Sequence, residues 1–140
     1  MALKPNEIET MKEAIATVRG CVSVFGLGLG YFTYMAARKE TVSEVKVIEN
    51  SPDAIAIFNK FLLPQFPFKD KITIIEDDAF DYLESGDMSS DYAFVDLWHD
   101  SGDGPDLYMN VKEYERRYPR TMFLYWIEDS LKSALRWKSE

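Results

Sequence analysis

Hydrophobic positions recur along the chain at two spacings, and the spacing switches from one segment to the next. Ile8, Met11, Ile15 and Val18 fall three or four apart, the signature of a helix over Asn6 to Arg19 that stops at Gly20. Val22 to Phe25 is a short run typical of a buried strand, and it ends in Gly26-Leu27-Gly28-Leu29-Gly30. Helical spacing resumes from Tyr31 to Lys39. Val45 to Ile48 predicts a second strand closed by Glu49, and Ser51-Pro52 is a cap and first turn for a helix to about Phe61. Pro64 and Pro67 then predict a loop. Ile72 to Ile75 is a third strand, followed by Glu76-Asp77-Asp78 and a short helix over Ala79 to Leu83. After a turn over Glu84 to Ser90, Tyr92 to Val95 is a fourth strand ending in Asp96. The loop Ser101 to Pro105 leads into a helix from Leu107 to Tyr118. Thr121 to Ile127 is a fifth strand, and Ser130 to Trp137 a last helix.

Strands and helices thus alternate throughout. That order predicts an α/β fold: a doubly wound, mostly parallel five-stranded sheet with helices on both faces. Its ligand site belongs at the carboxyl ends of the strands, where the strand order reverses. The 140 residues are read as a single domain, with the helix over 6–19 leading into a core over 22–137.

Composition narrows the classes. The chain is 46% hydrophobic and 29% charged, with a net charge of -8, and holds no Lys/Arg block to track a phosphate backbone. Nucleic acid is therefore not an expected partner. No apolar run approaches the roughly 18 residues of a membrane span, and Met1 to Pro5 lacks the apolar centre of a signal peptide. The one cysteine, Cys21, forms no internal disulfide and reads as a small hydrophobe at a strand mouth; a cytoplasmic setting is expected.

The candidate chemistry lies at the strand ends. Three glycines at alternate positions let the backbone turn sharply and approach a ligand, and the helix behind them offers free N–H groups. Glu49 follows Gly30 by 19 residues, at the tip of the second strand, where an acid accepts both hydroxyl protons of a ribose. Dinucleotide sites prefer Gly-x-Gly-x-x-Gly, and here Tyr31 stands where the third glycine would be. The tighter Gly-x-Gly-x-Gly with an acid-tipped second strand resembles the class I S-adenosylmethionine-dependent methyltransferases, over about Val22 to Trp137.

That resemblance implies S-adenosylmethionine as cofactor and methyl transfer to a small-molecule acceptor. It implies donor binding by Gly26, Leu27, Gly28, Gly30, Glu49 and Asn50, with Asp78 and Ala79 at the adenine and Asp96 at the methionine end or the acceptor. Two features depart from the family. Val24 stands where many members place an acid, and the family's further strands, including an antiparallel edge, are missing. The native chain is accordingly expected to be longer, or the sheet to stop at five strands. An open fifth strand is a pairing liability that a second copy, giving a homodimer, or further sequence would cover.

From Glu76 to Asp106 there are eleven acids and no Lys or Arg. They are a solvated face, or they ring a cleft suited to a sulfonium, an amine or a divalent metal. Asp96-Leu97-Trp98-His99-Asp100 holds the sole histidine, so Asp96 and His99 are the candidate catalytic residues, His99 as a general base. Trp98 walls an acceptor pocket or closes the core. Asp96, Glu128 and Asp129 form an alternative metal set resembling the catechol O-methyltransferase branch, although Asp129 also suits a helix cap. Competing functions are an aminopropyltransferase similar to spermidine synthase, a non-catalytic nucleotide-binding domain, and a dinucleotide oxidoreductase.

Overall fold

The computed structural model describes residues 5–28, 30–98 and 103–139. The elements are α1 (Pro5–Thr17), β1 (Gly20–Phe25), α2 (Tyr31–Ala37), β2 (Val42–Glu49), α3 (Pro52–Ile57), β3 (Ile72–Glu76), α4 (Ala79–Ser85), β4 (Tyr92–Val95), α5 (Gly104–Glu115), β5 (Met122–Tyr125) and α6 (Glu128–Ser139). The five strands form one parallel sheet in the order β3-β2-β1-β4-β5. The expected doubly wound α/β fold is what the chain adopts. The order reverses between β1 and β4, so right-handed crossovers put α2 and α3 on one face and α4 and α5 on the other.

Alternation along the strands fills both layers. Val24, Val47 and Phe94 share a register and face α2, whose Phe32 stacks on Phe94 with ring centroids 3.9 Å apart. Phe25, Ile48 and Val95 face the other way, where Tyr82 of α4 meets Phe25 edge-on. These strand residues are fully buried on both faces, which explains why the neighbouring pairs Val24-Phe25, Val47-Ile48 and Phe94-Val95 are apolar at both positions. Among the described residues, no helix is long and apolar enough to cross a membrane.

Several boundaries differ from the sequence expectation. β2 starts three residues early, because Val42 is fully buried although polar residues surround it. The helix after β2 does not end in a loop at Pro64. It passes into a π turn over Phe58–Leu62 and a 3₁₀ turn over Leu63–Gln65, where Pro64 is tolerated near the turn's start. α5 begins at Gly104 rather than Leu107. A Cβ on Gly104 would lie 2.3 Å from Leu131 of α6, so the missing side chain is what lets the two helices close. α1 is anchored from outside itself: Lys39 Nζ donates to the carbonyls of Ile15, Ala16 and Val18 at 2.6, 3.1 and 2.6 Å, serving acceptors that the helix end leaves open.

Candidate functional site at the carboxyl ends of the strands

The tips of β1 to β4 are tied to one another by backbone bonds. Gly26 N–H donates to Ile48 O, Asp96 N–H to Phe25 O, and Asp77 N–H to Glu49 O, at 2.9, 2.9 and 3.1 Å. Beyond these tips the chain opens into a cleft of about 460 Å³, at the switch point of the sheet. Gly26 forms its floor. With φ of 98°, and with a Cβ that would sit 2.1 Å from the carbonyl oxygen of Asp96, this position accepts glycine alone.

Glu49 is tied to the backbone through both of its carboxylate oxygens. Its Oε1 accepts the Leu27 N–H at 2.9 Å and its Oε2 accepts the Ser51 N–H at 3.1 Å. Each oxygen has spent one acceptor site on the backbone and keeps another. The carboxylate is thereby fixed in orientation, with two acceptor sites side by side. Ser51 in turn caps α3, accepting the Ala54 N–H at 3.2 Å. The glycine turn, the acid and the following helix are thus one bonded unit.

Asp78 occupies two roles. Its Oδ1 caps α4 by accepting the N–H groups of Phe80 and Asp81 at 2.9 and 3.0 Å. It also lines the cleft beside Ala79, Asn50 and Asp96. Asp77 lines the cleft too, and its Oδ1 accepts the Asp78 N–H at 2.8 Å. Asp77 joins the expected Asp78 in the lining, and the acidic run Glu76-Asp77-Asp78 after β3 is the signal in the sequence for it. Among the described lining residues there are four carboxylates, Glu49, Asp77, Asp78 and Asp96, and no basic side chain.

Of the residues expected at the donor, Gly26, Gly28, Glu49, Asn50, Asp78, Ala79 and Asp96 line this one cleft. Leu27 and Gly30 do not. Leu27 is buried and contributes its backbone N–H to Glu49. Gly30 has φ of 80° at the start of α2, and its missing side chain makes room for Phe58, which a Cβ would approach to 3.0 Å. Trp98 closes the core: it is 2% exposed and its indole N–H donates to Trp126 O at 3.0 Å; it also lines the cleft with Leu97 and Leu107. His99 lies outside the described residues.

The alternative metal set does not assemble. α6 starts at Glu128, two residues earlier than expected, so Glu128 and Asp129 stand in the first turn of a helix instead of at a strand tip. Glu128 accepts the Tyr108 hydroxyl at 2.8 Å and lines a separate groove. Asp129 is one residue inside the helix and is not its cap. Among the described residues, no group of three acid, histidine or cysteine side chains is placed to hold a metal ion.

The sequence matches no protein-family model and no curated sequence. Solved structures do match. Precorrin 8w decarboxylase of Methanobacterium thermoautotrophicum superposes with a TM-score of 0.62 at 22% identity, over 97% of this chain and 73% of its own. A putative caffeoyl-CoA O-methyltransferase from Staphylococcus aureus gives 0.58 at 18% identity, over 86% of this chain and 54% of its own. The chain has the Rossmann-like methyltransferase fold. Spermidine synthase from Thermotoga maritima carries this methyltransferase fold as well, with a TM-score of 0.59 at 14% identity over 89% of this chain; the present chain spans only 46% of that enzyme's length. Likeness at these identities establishes the fold, and the site chemistry has to be argued from this chain's own residues.

Proposed function

We propose that this chain is an S-adenosylmethionine-dependent methyltransferase domain acting on a small-molecule acceptor. The observation that carries the reading is the Glu49 carboxylate. It sits at the tip of β2 and lines the cleft beside the Gly26 turn, with each of its oxygens accepting one backbone N–H and keeping capacity for a second donor. Vicinal ribose hydroxyls are the donor pair that this arrangement fits. The bare Gly26 floor admits close approach, and the absence of basic side chains from the described lining suits a sulfonium rather than a pyrophosphate.

The cofactor, when bound, supplies a methyl carbon already activated by its sulfonium. The protein's task is then alignment and exclusion of water. Leu97, Trp98 and Leu107 supply the apolar wall that keeps water out. Asp96, at the tip of β4, is assigned to the reacting end with His99. A base is needed there only where the acceptor still carries a proton. The shared fold with spermidine synthase keeps an aminopropyltransferase as the second reading.

Calorimetric titration separates the two. The account expects micromolar binding of S-adenosylmethionine and S-adenosylhomocysteine, and little of NAD or decarboxylated S-adenosylmethionine. Preference for the decarboxylated donor moves the assignment to aminopropyl transfer. Binding of none of the four contradicts both.

A further inference from the structure

Phe80 stands at a boundary between two spaces. It lies in the first turn of α4, next to Asp78 and Ala79, and lines the donor cleft with them. It also lines a second pocket of about 400 Å³, whose other walls are Asn110, Glu113 and Tyr114 of α5 and Arg117 just beyond that helix. Among the described residues Phe80 alone lines both. Its ring reaches from α4 toward α5, with its centroid 6.1 Å from that of Tyr114. One stripe of α5 serves both spaces: Leu107 faces the cleft, and Asn110 and Tyr114 follow it at helical spacing into the pocket. The far wall is braced. The Arg117 guanidinium lies over the Tyr114 ring, 5.0 Å from its centroid, and pairs with Glu84 of α4 at 3.2 Å.

The place of this shared wall matters because of what the donor reading puts against it. Under that reading the adenine lies at Asp78 and Ala79. Oδ1 of Asp78 accepts the N–H groups of Phe80 and Asp81, so Oδ2 is the oxygen left for the adenine amino group. An amino group that carries one alkyl substituent still keeps one N–H for that oxygen. Its substituent then meets Phe80, the next side chain in the lining. We propose, resting on the donor reading of the cleft, that Phe80 restricts this site to an unsubstituted adenine, and that the pocket behind it takes a benzyl-sized group on the adenine's exocyclic nitrogen once that side chain is shortened. The discrimination is steric: the native ring fills the space that the substituent needs.

Calorimetry with S-adenosylhomocysteine and with its derivative benzylated on the adenine amino nitrogen tests it. The unmodified chain should bind the derivative about 100-fold more weakly than S-adenosylhomocysteine. Phe80→Ala deletes a phenyl ring where the derivative adds one, and should narrow the gap to about tenfold or less. Phe80→Val should move it the same way by a smaller factor, and replaces Phe80→Ala if that variant does not fold. Adding Asn110→Trp, at an exposed position on the α5 wall, should fill the pocket and reopen the gap. An unmodified chain that binds both compounds alike overturns the proposal. So does a shortened variant that binds S-adenosylhomocysteine and keeps the parental gap, or a gap that stays narrow after Asn110→Trp, since the substituent would then lie in solvent. Failure of the unmodified chain to bind S-adenosylhomocysteine overturns the donor reading itself, and this proposal with it.

Discussion

Glu49→Gln keeps the size of the side chain and removes only its charge and one of its two acceptor oxygens. In the native protein each oxygen accepts one backbone N–H, Leu27 at 2.9 Å and Ser51 at 3.1 Å. Whichever way the amide is turned, one of those N–H groups loses its acceptor and faces a donor. A part-buried donor left unpaired costs about 1–3 kcal/mol, so the variant should melt lower in the absence of ligand. Binding suffers separately. Of the two acceptor sites that the carboxylate keeps for a ligand, one becomes a donor, and the loss of a hydrogen bond to a charged group is about 1.5–3 kcal/mol, or about 10- to 150-fold in the dissociation constant. Thermal unfolding without ligand reads the first effect. Calorimetry with S-adenosylhomocysteine, well below the variant's melting temperature, reads the second. A folded Glu49→Gln protein that binds as tightly as the parent would refute the reasoning at its centre, since it would mean that the carboxylate is a tie for the glycine turn and nothing more.

Other substitutions probe the frame around that site. Gly26→Ala drives a Cβ into the Asp96 carbonyl and should lose about 3 kcal/mol in urea unfolding. Gly86→Ala, at φ of 76° with nothing within 4 Å, should lose only about 1 kcal/mol. Lys39→Met strips three carbonyls at the end of α1 of their donor and should cost about 2 kcal/mol, with hydrogen exchange in α1 rising first. Burial pushes the Tyr125 hydroxyl well above the ordinary tyrosine range, and its hydrogen bond to Glu115 adds to the shift. Because the folded pKa is raised, its contribution to stability is complete below the unfolded value of about 10 and drains away as pH rises past it. Absorbance titration should therefore find Tyr125 un-ionised until the protein unfolds in alkali, and Tyr125→Phe should flatten the alkaline fall in stability.

The architecture was legible because burial on two faces and burial on one leave different patterns. β1 and β4 sit inside a covered sheet, and for that reason Tyr92 to Val95 reads as a continuous apolar run and Val22 to Phe25 as one broken only by the small, buried Ser23. What was not legible came from long-range packing. Val42 is held in β2 by its pairing with Gly20, which local composition does not reveal. Gly104 starts α5 because Leu131, distant in sequence, needs its space. At the site, the three glycines look alike in sequence but differ in use: Gly26 and Gly28 face the cleft, and Gly30 yields to Phe58. The acid at the tip of β2 stood out by spacing, whereas its backbone ties and the presence of Asp77 in the lining emerge only when the tips of β1, β2 and β3 are brought together.

The most direct test of the central claim is a crystal structure of the chain with S-adenosylhomocysteine. The account predicts the nucleoside in the cleft between Gly26 and Asp78, with both ribose hydroxyls donating to the Glu49 carboxylate while that carboxylate keeps its bonds to Leu27 and Ser51. A ligand bound elsewhere, or bound in the cleft with its ribose turned away from Glu49, would contradict it.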